Sequence, residues 1–233
     1  MPTISVVIPT LNEEKYIRIP LEALKAQTYR DFEVIIADKA SKDRTREIAR
    51  KYGARVVIQK KAGISAGRNA GAKVAKGRIL VFIDADTKPS KHLLGVYSRA
   101  FGDGTVAATG PIYALERSGT LMRLGYIFVS VLFVRASIIL GQPSIVGSNF
   151  AVDAKTFRKI GGFNEKLITY EDWDLSRRIK HLGKIKFLHG AHVETSTRRV
   201  AKWGIGEYFA YHVGNMLRYR LFKSSNDDYA PIR

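Results

Sequence analysis

Two carboxylates one residue apart, Asp84 and Asp86, stand where the apolar run Ile79-Leu80-Val81-Phe82-Ile83 stops. Carboxylates this close repel, so both stay ionised only beside a cation or strong hydrogen-bond donors. A divalent ion with oxygen ligands, itself holding substrate phosphates, meets that requirement. An Asp-rich turn closing a strand is the plain alternative for the tripeptide alone. A second acidic group, Glu171, Asp172 and Asp174, surrounds Trp173 at a loop-to-helix junction. Helix capping accounts for one acid there. It does not account for three beside a large apolar ring.

These side chains need elements to hold them. The run 79–83, bounded by Lys76-Gly77-Arg78 and Thr87-Lys88-Pro89, reads as a buried parallel strand. Its carboxyl end is the rim where open α/β sheets bind ligands. Strands over 4–8, 33–37 and 55–59 precede it, alternating with helices over 13–26, 44–52 and 64–75. That alternation predicts a parallel sheet with right-handed crossovers. Pro20 should kink or divide the first helix, and Ser41 or Asp43 should cap the second. Beyond residue 86 the pattern predicts a helix over 92–101, strands over 106–113, 148–152 and 184–188, and an amphipathic helix over 172–182. An apolar helix, or two, should cover 121–140. The expected organisation is one catalytic domain, 1–202, followed by an amphipathic helix and polar tail, 203–233.

A net charge of +18 over 233 residues demands an anionic partner. The excess is uneven: only Asp43 and Glu47 oppose the many lysines and arginines of 39–78, and only Glu194 opposes those of 176–202. A hydrophobic content of 45% argues against disorder despite that charge. The absence of cysteine excludes disulfides and thiolate metal sites. Met1-Pro2-Thr3 runs straight into a strand without a secretory leader, which leads to the expectation of a cytoplasmic protein.

Five segments occur in one order: Pro9-Thr10-Leu11-Asn12-Glu13-Glu14; Asp38 to Thr45; Ala66-Gly67-Arg68-Asn69-Ala70-Gly71; Asp84-Ala85-Asp86; and Gly161-Gly162-Phe163-Asn164-Glu165 followed by Glu171-Asp172-Trp173-Asp174. Together they make the chain resemble family 2 glycosyltransferases over roughly residues 3–200. The resemblance implies the GT-A fold, a Rossmann-like α/β sheet flanked by helices. It also implies inverting, non-processive transfer from a UDP- or GDP-sugar. Processive synthases carry a Gln-x-x-Arg-Trp motif that this chain lacks.

Carried over residue by residue, the resemblance puts Thr10, Leu11, Glu13 and Asp38 in the nucleotide pocket, with Arg68, Asp84 and Ala85 also donor-binding. Asp38 by itself is as well suited to capping the next helix as to accepting a hydrogen bond from base or ribose. Lys39 and Ala40 depart from the family's usual second acid or Asn followed by Gly. Arg68 either clamps the donor or holds the Asp84 loop through a bidentate pair. Asp86, with Asp84, is implied to hold Mg²⁺ or Mn²⁺; His189 or His192 is a candidate third ligand. Asp172 is implied as the base and Glu171 as its support or a sugar ligand, with Trp173 as a wall. Gly147, Ser148 and Asn149 match a segment that approaches the donor sugar or acceptor. Arg198 and Arg199 fall where relatives place basic residues near the diphosphate or a phosphorylated acceptor.

The stretch 121–135 is apolar nearly all round, so it is either buried or inserted at a lipid interface. Arg123 and Arg135 make spanning costly but can snorkel to lipid phosphates. The run 208–223 mixes aromatic and basic residues as interfacial helices do. The expectation is a polyprenyl or dolichyl phosphate acceptor and a peripheral seat on the inner face of the membrane. The alternatives are packing on the domain or on a second copy in a homo-oligomer, with a soluble glycan or protein as acceptor. Nucleic acid is not an expected partner: the charge suggests it, but no helix-turn-helix, zinc or RNP-like signature supports it.

Overall fold

The computed structural model describes residues 1–116, 125 and 127–222. The first half follows the alternation in the sequence. Strands β1 (Ile4–Thr10), β2 (Phe32–Asp38), β3 (Arg55–Ile58) and β4 (Ile79–Ile83) alternate with helices α1 (Arg18–Lys25), α2 (Thr45–Lys51) and α3 (Ile64–Val74). All four strands pair in parallel, in the order β3-β2-β1-β4. β1 and β4 are almost wholly buried, as their unbroken apolar runs require.

Local readings needed correction at two points. Pro20 does not kink α1; it sits in the first turn, where a missing N–H costs no helical hydrogen bond. Neither Ser41 nor Asp43 occupies the N-cap of α2, which is Arg44. Asp43 instead accepts from the backbone N–H of Thr45, two residues on.

The second half completes the main sheet and adds a smaller one. After β5 (Thr87–Pro89) and α4 (Leu93–Ala100), the expected strand 106–113 is two strands, β6 (Thr105–Thr109) and β7 (Ile112–Ala114). The break falls at Gly110-Pro111, since proline donates nothing to a ladder. A Cβ on Gly110 would lie 2.0 Å from the carbonyl oxygen of Ala191. A π-helix, Phe128–Phe133, runs into α5 (Val134–Ile139), and β8 (Asn149–Asp153) leads to α6 (Ala154–Lys159). Then come α7 (Glu171–Ile179), β9 (Lys184–Phe187), β10 (Val193–Thr195), α8 (Arg198–Trp203) and α9 (Ile205–Phe222).

The main sheet has seven strands, β3-β2-β1-β4-β8-β6-β9, with β8 antiparallel to both neighbours. A three-stranded sheet, β5-β10-β7, lies apart from it. Sequence reading missed β5, β10, α6 and α8, all too short for a periodic signal. One apolar layer packs around Ile17, Leu21 and Tyr97; the other holds the Phe82, Phe150, Phe157 and Phe163 cluster.

Candidate active site

β4 delivers Asp84 and β5 begins one residue after Asp86, so the acidic pair occupies the short turn between the two sheets. Each carboxylate meets a guanidinium. Asp84 Oδ1 accepts from Arg68 Nη2 at 3.0 Å, and Asp86 Oδ2 faces Arg198 Nε at 2.9 Å.

Arg68, on α3, is among the largest fully buried side chains of the described residues. Besides Asp84 it donates to Glu171 Oε1 at 2.6 Å and to the Gly147 carbonyl at 3.0 Å. Of the two readings of this arginine, donor clamp or holder of the Asp84 loop, the contacts match the second: it ties the β4 end to the segment of Glu171, through one nitrogen on Asp84 rather than a bidentate pair. The Gly147 N–H in turn donates to Asp172 Oδ2 at 2.8 Å, and the Trp173 N–H donates to Asp172 Oδ1 at 2.7 Å. Asp84, Arg68, Glu171, Gly147 and Asp172 therefore form one continuous network. Burial, then the charge of Asp172, push the Glu171 carboxyl up to about 7 against the pull of Arg68. Asp172 is also raised, by burial, while Arg68 and its two amide donors oppose the shift. Of the two, Glu171 is buried whereas Asp172 is only half-buried.

Asp172 and Glu171 open α7, whose N-cap is Tyr170 in the left-handed region at φ 66°. A non-glycine residue held there costs energy that surrounding contacts must offset. Tyr170 donates its hydroxyl to the His212 carbonyl and stacks near Tyr219, while Trp173 packs against both Tyr170 and Tyr219. Tyr219 also donates to Asp174 Oδ1 at 2.7 Å. Helix α9 is thus docked on α7, and Trp173 is part of that joint.

Asp38 is fully buried, accepts from Thr10 Oγ1 at 2.8 Å and from the Ser41 N–H and hydroxyl, and has Arg46 Nε at 3.6 Å. It caps no helix; it ties the β1 and β2 loops together. Ala40 lies in the left-handed region at φ 51°, at the position where the family usually has Gly. Glu13 accepts both terminal nitrogens of Arg198, at 2.9 and 3.0 Å. Leu11 and Ser148 are half-buried, and Arg199 stacks over Trp203.

Asn149 departs from its expected place. It is fully buried on β8, accepts from Tyr97, and donates to the carbonyls of Pro111 and Ala191. These bonds, to α4 and to the backbone just ahead of β7 and β10, hold the side chain inside the fold.

Sequence reading missed Glu116, which accepts from Ser196 Oγ, the Thr197 N–H and Thr197 Oγ1. No local pattern marks it. It reaches its partners because β7 and β10 pair, Ala114 opposite Thr195.

The residues at the β4 end suit a divalent ion. Burial pushes Asp86 up to about 6; Arg198 pulls it down, while Asp84 and Glu13 add to the rise. Two carboxylates one residue apart supply hard oxygen donors of the kind that Mg²⁺ or Mn²⁺ takes, completed by phosphate oxygens. Among the described residues no group of three or more His, Cys, Asp or Glu gathers at one point, so neither His189 nor His192 stands with the pair in this structure.

The glycosyl transferase family 2 model matches residues 5–162. The chain belongs to that family. A model described as the N-terminal domain of galactosyltransferase also matches residues 130–202 of this family 2 chain. An uncharacterized glycosyltransferase of Rickettsia felis is 29% identical over 199 residues, covering 80% of this chain and 33% of its own length. The probable glycosyltransferase YdaM of Bacillus subtilis is 28% identical over 213 residues, 82% of this chain and 50% of its own. The chain thus spans only part of such relatives. Staphylococcus aureus TarS 1-349 superposes with a TM-score of 0.68 at 19% identity, over 98% of this chain and 67% of that one. The mannosyltransferase PcManGT of Pyrobaculum calidifontis, in complex with GDP-Man and Mn²⁺, gives 0.64 at 17% identity, over 91% and 64%. These likenesses establish a GT-A fold for the family 2 chain.

Gly147 offers a test of the network. A Cβ there would come within 2.8 Å of Arg68 Nη2 and 2.9 Å of Nη1, and that guanidinium is locked by three partners. Gly147→Ala should cost about 1–3 kcal/mol in urea unfolding and lower turnover, because both Arg68 and Asp172 must shift. Unchanged stability would show that the network yields freely.

Proposed function

We propose that this protein is a metal-dependent inverting glycosyltransferase that moves one sugar from a UDP- or GDP-sugar to a lipid-linked acceptor, a polyprenyl or dolichyl phosphate, at a membrane surface. The observation that carries the transferase chemistry is the network joining a half-buried, doubly hydrogen-bonded carboxylate, Asp172, to the acidic pair through Gly147 and Arg68. It links a proton acceptor and a phosphate-binding end in one rigid unit.

In this reading Thr10, Leu11 and Glu13 line the nucleotide pocket, with Asp38 fixing Thr10 and Ser41 beside it. Asp84 and Asp86 would hold the divalent ion, which when bound supplies positive charge to the leaving diphosphate. Asp172 takes the proton from the P–OH of the singly protonated phosphate acceptor. The freed oxygen bonds to the sugar carbon as the carbon–oxygen bond to the diphosphate breaks, and that bond's electron pair leaves with the diphosphate. The amides of Gly147 and Trp173 aim the Asp172 carboxylate, and Arg68 keeps Glu171 from crowding it with unbalanced charge. GDP-Man with Mn²⁺ in the solved complex of PcManGT, and UDP-GlcNAc in that of TarS, support the donor class.

The acceptor reading rests on surface. Phe128, Leu132, Phe133, Ile139 and Leu140 are between 51% and 75% exposed on the π-helix and the end of α5. Among the described residues the segment packs inward through Val134, Ser137 and Ser130, whose hydroxyl donates to the Ile112 carbonyl. That much exposed apolar surface favours a lipid interface over packing within the domain. Residues 121–124 and 126 of the stretch, and the tail 223–233, lie outside the described residues. No described helix is long and apolar enough to cross a membrane. Each Lys or Arg near an anionic leaflet would add ~1 kcal/mol of attraction.

Incubation with Mn²⁺ and separate UDP- and GDP-sugars, with and without polyprenyl phosphate in anionic liposomes, tests the proposal. Nucleoside diphosphate release should need the metal and rise with the lipid, and the protein should sediment with the liposomes at low salt. Release that survives EDTA would refute the metal. Protein left in the supernatant, with transfer to soluble acceptors only, would refute the lipid.

A further inference from the structure

We propose that Arg198, held between Asp86 and Glu13, is a tethered cation occupying the Asp86 oxygen that the donor's metal ion would take, and that binding of the metal–nucleotide complex exchanges it out. The inference rests on the reading of Asp84 and Asp86 as carboxylates for a divalent ion.

The guanidinium of Arg198 uses every nitrogen on acids of the donor end. Its Nε meets Asp86 Oδ2 at 2.9 Å, and its two terminal nitrogens meet Glu13 Oε1 and Oε2 at 2.9 and 3.0 Å. Its face covers the Tyr16 ring at 4.3 Å. The side chain is only 19% exposed, and the two carboxylates are no more accessible, so the ion pairs are largely withdrawn from solvent screening. With Arg198 in place, the oxygen of Asp86 nearest to it is committed. An ion claiming that oxygen must displace the guanidinium.

The position is built, not incidental. The Ser196 N–H donates to the Asp86 carbonyl at 3.2 Å, and Thr87 pairs with Thr195, so β5 and β10 set the arginine's backbone beside its target. Glu116 then fixes Ser196 and Thr197 immediately before it. The arginine therefore acts over one side chain's reach, without the strand moving.

The charges order the exchange. Glu13, Asp86 and Arg198 together carry one net negative charge. A divalent ion arriving alone faces the resident cation at close range. An ion arriving with a diphosphate brings anionic oxygens onto which the displaced guanidinium can transfer in bidentate contact. Metal and nucleotide should then bind with strong mutual dependence, and Arg198 should be the cause of much of it.

The test measures binding, not turnover. Free Mn²⁺ is titrated by electron paramagnetic resonance with nucleotide absent, and UDP·Mn²⁺ and GDP·Mn²⁺ by calorimetry, on the wild-type chain, Arg198→Gln and Glu116→Gln. Arg198→Gln should bind Mn²⁺ alone at least tenfold more tightly than wild type and bind the better nucleotide complex several-fold more weakly, so that the coupling collapses. Glu116→Gln leaves the arginine and both carboxylates in place but loosens the tether, and should tighten Mn²⁺ alone to a smaller extent, about threefold; it decides the matter if Arg198→Gln does not fold. Unchanged affinity for Mn²⁺ alone, with nucleotide complexes still bound, overturns the exchange and leaves Arg198 a static brace. If neither nucleotide complex binds any variant more tightly with Mn²⁺ than in EDTA, the metal reading falls as well.

Discussion

Asp172→Asn should lower turnover by ~10²–10⁴ while donor affinity changes little. The amide keeps the carboxylate's shape, but it has one acceptor oxygen for two N–H donors, those of Gly147 and Trp173. One of these contacts is lost, and the group can no longer take a proton. The pH profile carries a second signature. Burial raises the Asp172 carboxyl, and the base works only when ionised, so wild-type turnover should fall as pH drops, at a pH above that of an ordinary aspartate. The residual activity of Asp172→Asn should lack that acid limb. Wild-type turnover in the variant would move the role to another acid. Glu171 is poorly placed for it, being buried and ion-paired with Arg68, and Asp174 is held by Arg178 and Tyr219.

Arg68→Met should be the most damaging single change to stability. The side chain is 2% exposed and pairs with Glu171 and Asp84. Removing it strands a buried carboxylate beside Asp172, and breaking such a pair costs about 3–5 kcal/mol. The loss should depend on pH. Glu171 already titrates above its unfolded value, at about 7. For a carboxyl raised in the folded state, stability is present below the unfolded pKa and lost as pH rises through the folded one. Without Arg68 the folded value rises further, because the arginine was pulling it down. Urea unfolding of the variant should therefore show a smaller deficit near pH 5 than near pH 8. A deficit below about 1 kcal/mol at pH 8, within the range of an exposed ion pair, would mean that Arg68 does not hold the network together.

The sequence by itself determined the four parallel strands and their crossovers, because a buried parallel strand needs a continuous apolar run and its helix needs a periodic one, and both patterns are local. It also determined which carboxylates stand at strand and helix ends, since Asp38, Asp84 and Asp172 each follow or open an element whose bounds the pattern gives to within a few residues. The tertiary structure decided what those groups touch. Asn149 looked like a ligand by position, yet its side chain bonds inside the fold, to the carbonyls of Pro111 and Ala191, which lie in loops that reach β8 only after folding. Glu116 carried no signal, because its role exists only where β7 lies against β10. Arg68, Glu171 and Asp84 became one network across 103 positions of chain, and Arg198 met Glu13 across 185. Short strands such as β5 and β10 have no periodicity to read; pairing alone makes them strands, and pairing is a property of the folded chain.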